Sequence, residues 1–317
     1  MDLVDVLKKK IDVLDEGVHR PGLKAVLLHI ETAFRHLSRG QDSDDDTAFT
    51  DAIYRTNQAF EGSVKEAYRV LTGHEPAKKR PYDIENYLEK NNIFRPRVLN
   101  QLTNYRTEWR NPSAHDYKLD FDESEAFLAI VSVSAFACLL LDQIAERLAF
   151  MKAQADADAQ KAELSASLKQ TKNADLLVRA TDLLSEFCTA YMPSMASNRL
   201  TEAQIVGALH GFLTSVAPEL AVQTEVTLDS ARHYRADLII ERDGEKLIVE
   251  LRRSIMRQHH SSSSAQLERY LLVSGIKSGI VLFYPDAPHV MENFNIKTND
   301  PSNRLVFIAP LGSLPVL

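Results

Sequence analysis

Cysteine is nearly missing from this chain: there are two in 317 residues, Cys138 and Cys188, each among apolar neighbours. Thiols so few and so placed leave no room for a disulfide framework or a Cys-rich metal knuckle, and they suit a reducing compartment. Positive charge is also in deficit, with 37 Lys and Arg against 44 Asp and Glu for a formal net charge of −7. That balance argues against a protein that coats nucleic acid through bulk charge, while a local basic groove stays open. The sequence has no Gly-rich phosphate loop, no Cys/His metal spacing and no internal repeat. Its start, MDLVDVLKKKIDVLDEG, lacks a basic head followed by an apolar core, so no signal peptide is expected. The most apolar run, FLAIVSVSAFACLLL at 127–141, is too short to span a bilayer and is flanked by acids. A helix buried on nearly all sides is expected there, with no membrane contact and a cytoplasmic setting.

Hydrophobic content of 44% and charged content of 26% are those of a globular protein, and the length allows two cores. Residues 1–150 read as a helical bundle. Ile53, Phe60, Val64, Ala67 and Leu71 recur at helical spacing, and Gly73 stands where a C-cap would. Further helices are expected over 22–40, 84–108 and 123–150. Residues 151–194 read as a helical linker, opening with an Ala, Lys, Asp and Gln-rich stretch. From 195 to 317 the period changes. A helix opening at 201 precedes runs rich in Val and Ile at 222–228, 234–241, 246–253, 278–284 and 304–310. Asp243-Gly244 sets a hairpin turn between the second and third, and 263–275 reads as a crossover helix. The expected fold is multidomain: an α bundle followed by an α/β domain with a mixed sheet.

Asp237 lies inside the second strand, and Lys246, Ile248, Glu250 and Arg252 share one face of the third. A hairpin brings Asp237 near Glu250, and paired carboxylates suit a hard cation such as Mg²⁺. A hairpin with charges on its solvent face would carry the same two acids without any site. Asp237, twelve intervening residues and Glu250-Leu251-Arg252 together resemble the PD-(D/E)XK nuclease superfamily, the restriction-endonuclease-like fold. Gln266 and Tyr270, one helical turn apart, are similar to the Gln-x-x-x-Tyr element of its RecB-like branch. The resemblance covers about residues 195–310. It implies a nuclease using Mg²⁺ or Mn²⁺, with Asp237, Glu250 and the Leu251 carbonyl on the metal. A further acid from the preceding helix is implied, Glu202 first, then Glu219 or Glu225. The departure is Arg252 where the family has lysine. Arginine supplies charge and hydrogen bonds but stays protonated and cannot act as a base.

In EWRNPSAHDY, 108–117, Arg110 and His115 are separated by four residues with Asn111 directly after the arginine. Within a helical bundle this resembles the HEPN family over about 1–150. The resemblance implies a homodimer and, in catalytic members, a metal-independent RNase site joined from two copies. There Arg110 would hold phosphate, His115 would exchange protons, and Asn111 would orient one of them. Pro112 is expected in the first turn of a short helix capped by Asn111, which would set both side chains near a helix N-terminus. The alternative is that Arg110 and His115 hydrogen-bond within the bundle or at a dimer seam. Glu61 and Lys65 read as a solvated ion pair, Trp109 as packing, and 258–264 as a loop. Nucleic acid, DNA or RNA, is the implied partner, and the joined modules are similar to microbial antiphage or stress defence effectors. A non-enzymatic dimeric nucleic-acid-binding protein is the remaining reading.

Overall fold

The computed structural model describes residues 2–43, 45–115, 118–160, 168, 171–192, 200–229, 234–253 and 260–313. The chain forms two compact units, Met1–Leu148 and Ala149–Leu317.

The first unit is helical: α1 (Leu3–Asp12), α2 (Arg20–Ser43), α3 (Thr47–Thr72), α4 (Pro81–Lys90), α5 (Pro96–Tyr105), α6 (Asn111–His115) and the start of α7 (Glu123–Ala159). Gly73, at φ 73°, ends α3 as its position predicts. Gly40 does not end α2, which runs on to Ser43. A Cβ on Gly40 would lie 2.4 Å from the Phe49 ring, so this glycine is there for close packing. The expected helix over 84–108 is broken, because Asn92 turns left-handed at φ 51° and Pro96 begins a new helix at α5. Helix α7 is 37 residues long, and by length and composition it could cross a membrane. Half of its most apolar window is buried, with Phe127 and Leu128 exposed, so it is not enclosed on nearly all sides. Phe60, Tyr105 and Phe136 stack at the centre of this unit's core.

The second unit is a mixed sheet between helical layers. Its strands are β1 (Ala221–Thr227), β2 (Arg235–Arg242), β3 (Glu245–Arg253), β4 (Ser278–Tyr284), β5 (Met291–Ile296) and β6 (Arg304–Pro310). They lie in the order β1-β2-β3-β4-β6-β5, with β3–β4 and β4–β6 parallel and the other pairs antiparallel. Asp243 and Gly244, at φ 52° and 84°, make the β2–β3 turn. Helices α8 (Leu176–Glu186) and α9 (Glu202–Val216) bury one face against Leu238, Val249, Leu282 and Ile308. Helix α10 (His260–Ser274) covers the other through Leu267, Tyr270 and Leu271 on Ile248, Val281 and Phe307. The stretch 176–192, read from sequence as part of a linker, therefore belongs to the second unit's core. The backbone from 260 to 264 is the first turn of α10 rather than a loop, and 258–259 lie outside the described residues. Both cysteines are free, Cys188 buried and Cys138 half-buried.

Candidate active site

The β2–β3 ladder stops at Leu238–Val249, one position short of Asp237 and Glu250. There the carboxylates take over from the main chain. The Leu251 N–H donates to Asp237 Oδ2 at 2.7 Å, and the Asp237 N–H donates to Glu250 Oε1 at 3.3 Å. On the other side, the β1–β2 register passes from Thr224–Leu238 to Val226–Ala236, skipping Glu225. Glu225 stands at φ 56°, a left-handed conformation that costs a non-glycine residue on the order of 1 kcal/mol or more. Strand β2 is thus freed at Asp237 from both neighbours.

Both acids are buried, Asp237 at 8% and Glu250 at 3% exposure, so the hairpin does not turn them to solvent. Burial raises the pKa of each above the usual carboxylate range. The charge of Asp237 raises Glu250 further, and the more distant Glu202 and Glu225 raise Asp237. Arg252 lowers both but supplies one positive charge for two acids. Its guanidinium donates to the Leu251 carbonyl at 2.7 Å, to Glu250 Oε2 at 3.1 Å and to Gln266 Oε1 at 2.8 Å. Gln266 is fixed in turn, its Nε2 donating to Tyr270 Oη at 2.6 Å and lying 3.5 Å from Glu250 Oε2. Tyr270 packs edge-on against Tyr234 with ring centres 5.8 Å apart. Six of the residues singled out from sequence, Leu251 among them, thus meet in one hydrogen-bonded cluster.

The others do not join it. Glu202 opens α9 and is exposed. Glu219 faces Arg179 at 3.4 Å, and Glu225 faces Arg235 at 2.6 Å. Lys246 pairs with Glu241 on the surface at 3.4 Å. Among the described residues, no group of three His, Cys, Asp or Glu side chains is placed to hold a metal. What the cluster offers is a set of hard oxygens, from Asp237, Glu250 and the Leu251 carbonyl, with one guanidinium for two carboxyl groups. That is donor chemistry of the kind Mg²⁺ takes while keeping several waters.

The second motif is differently built. A π-helical turn, Arg106–Arg110, joins α5 directly to α6, with the Asn111 N–H reaching back to the Arg106 carbonyl. The wide turn admits Pro112, which has no N–H to give and would crowd a regular helix. Asn111 is therefore inside a continuous helical path and caps nothing, and Arg110 and His115 sit at no helix N-terminus. Buried Tyr105 donates to Thr56 and Asn57, and Asn57 donates to Ser113 Oγ at 2.7 Å, which anchors α6 to α3. Arg110 donates to Asn111 Oδ1 at 3.1 Å and lies 3.6 Å from Glu61, while His115 is exposed. Glu61 thus faces Arg110, where sequence spacing pointed to Lys65. Together with His36, Tyr54 and Arg55, Arg110 and Glu61 line an open cleft of about 660 Å³. His36, Tyr54 and Arg55 carry no sequence signal, because they come from helices α2 and α3, far before the motif in the chain.

Compared with protein-family models, curated proteins and solved structures, the chain has no match.

Proposed function

We propose that the second unit is a metal-dependent nuclease that hydrolyses phosphodiester bonds of nucleic acid. The observation that carries this reading is the meeting of Asp237, Glu250, Arg252, Gln266 and Tyr270 in one cluster from two strands and a helix. It is the set by which the sequence resembles the PD-(D/E)XK superfamily. The buried pair of acids, with one guanidinium between them, supports a divalent cation, Mg²⁺ or Mn²⁺, as cofactor. Asp237 and Glu250 would hold it through their carboxylates and Leu251 through its carbonyl. Bound there, such a cation supplies an activated water and stabilises charge growing on a phosphodiester. Arg252 offers its planar fork to a phosphate oxygen and, staying protonated, takes no proton from water. Gln266 and Tyr270 act as positioning residues that hold the fork and Glu250 in place.

The reading is tested by cleavage of plasmid DNA and structured RNA by the full chain, with Mg²⁺ and with EDTA. Cutting that needs the metal and disappears in Asp237→Ala is expected. No cutting of either substrate would sink it. A second reading rests on the cleft that Arg110 lines: a HEPN-like, metal-independent RNase of Arg110 and His115, with the second unit binding nucleic acid without cutting it. The same resemblances carry pairing of two copies through the helical unit and a part in antiphage or stress defence.

A further inference from the structure

The hydrogen bonds of Arg252 bear on more than charge balance. Two of the three oxygen donors that suit a divalent cation, Glu250 Oε2 and the Leu251 carbonyl, are held by the two terminal nitrogens of one guanidinium. A third acceptor, Gln266 Oε1, closes the set at 2.8 Å, and Gln266 is itself tied to Tyr270. The fork therefore occupies donors that a cation would need. We propose that Arg252 is a resident counter-cation, competing with the divalent cation for Glu250 and Leu251 and leaving them when the cation binds. The proposal rests on the nuclease reading above.

Two features favour Arg252 as the member that moves. Its side chain keeps 29% of its surface exposed, while both carboxylates are buried, so the arginine has the path to solvent. The carboxylates are also pinned by main-chain N–H groups of the paired strands. Removing any counter-charge from two buried acids is unfavourable, so a resident cation keeps the metal-free site folded. The choice of arginine follows from geometry. A planar fork spans a carbonyl, a carboxylate and an amide oxygen at once, whereas the ammonium of lysine is a point charge on a flexible stem. Freed from these acceptors, the guanidinium becomes available to a phosphate group reaching the site.

The test is Mn²⁺ binding by calorimetry, on the full chain, for the native sequence, Arg252→Gln and Arg252→Lys. A thermal melt of each confirms folding, and the lysine variant keeps the charge should the glutamine variant fail to fold. Both variants are expected to bind Mn²⁺ more tightly than the native chain. For Arg252→Gln the gain is at least about tenfold, the equivalent of one charge-assisted hydrogen bond that no longer has to be broken. Arg252→Lys, which loses the fork but not the charge, falls between. Tighter binding in Arg252→Gln with no change in Arg252→Lys would show a pure charge effect and overturn the proposal. Native and variant chains binding Mn²⁺ equally would overturn it too, while leaving the nuclease reading standing. Absence of Mn²⁺ binding in all three would overturn both.

Discussion

Each unit of this protein buries carboxylates, and it treats them differently. In the helical unit Glu66, Glu85 and Glu146 are buried, and each is met by an arginine of its own: Arg69 at 3.0 Å, Arg106 at 3.3 Å, and Arg95. The further acids held by Arg69 and Arg106, Glu75 and Glu89, reach solvent. In the sheet unit Asp237 and Glu250 are both buried and share Arg252, whose guanidinium bonds only one of them. Glu85–Arg106 and Glu146–Arg95 tie one helical segment to another, while Glu66–Arg69 lies within α3. An unmatched pair is unfavourable for folding, because a buried charge without a partner is costly. It stands at the point where β2 leaves both ladders, beside a left-handed Glu225, so backbone strain and buried acids coincide there.

The comparison can be broken most directly by removing one acid from the unmatched pair. Glu250→Ala is expected to reduce metal-dependent cleavage by roughly 10²- to 10³-fold, the loss typical of removing a group that stabilises transition-state charge. Its melting temperature should hold or rise, since a buried acid crowded against Asp237 goes with it. Loss of activity accompanied by loss of fold would place Glu250 with the clamps. The reverse probe is Arg106→Ala, which strands Glu85 in the helical core. Breaking that pair should cost about 3 kcal/mol, the lower end for a buried pair because Arg106 keeps part of its surface in water. Denaturant unfolding reads this, and a change near zero would mean that the clamps are not clamps.

Gln266→Ala sharpens the view of the sheet site. As a positioning residue, Gln266 should be worth about 10- to 100-fold in cleavage, in the manner of groups that orient metal ligands from behind. An unchanged rate would remove it from the site.

The smallest effect is in pH. Burial raises both Asp237 and Glu250, so the folded state holds protons that the unfolded chain has released. Stability is then greatest below the ordinary carboxylate range and falls as pH rises through the raised values, by up to about 1.4 kcal/mol per pH unit for each proton. Glu66 and Glu85 are raised by burial as well and slope the same way, so the native curve alone does not isolate the site. Thermal melts of the native chain and Glu250→Gln from about pH 5 to about pH 8 do. The variant should lose less stability toward high pH, and parallel curves would contradict the shift at Glu250.

Much of the sheet could be read from sequence, because runs such as Lys246–Arg253 and Ser278–Tyr284 have the Val and Ile content that a half- or fully buried strand requires. Strand β5 could not: it lies at the sheet edge, and Met291–Ile296 alternates with Glu and Asn, leaving few apolar residues to count. The break at Asn92 hid inside a helical period, since a single left-handed residue leaves no trace in hydrophobic spacing. At the candidate site, Asp237 and Glu250 were legible through strand alternation and the hairpin, and Gln266 and Tyr270 through the resemblance to the RecB-like branch. The contacts of Arg252 were not, because the sequence names its charge but not the oxygens its fork reaches. The facing of Arg110 by Glu61 escaped for a related reason, as the partner four residues along the helix, Lys65, was nearer in sequence than the true one in space.

One crossed experiment tests the central claim. The native chain, Glu250→Ala and His115→Ala are compared on the same plasmid DNA and structured RNA, with Mg²⁺ and with EDTA. The account predicts cutting by the native chain and His115→Ala in Mg²⁺, none in EDTA, and none by Glu250→Ala in either. Cutting of RNA that survives EDTA and Glu250→Ala but disappears with His115→Ala would contradict it and move the chemistry to the helical unit.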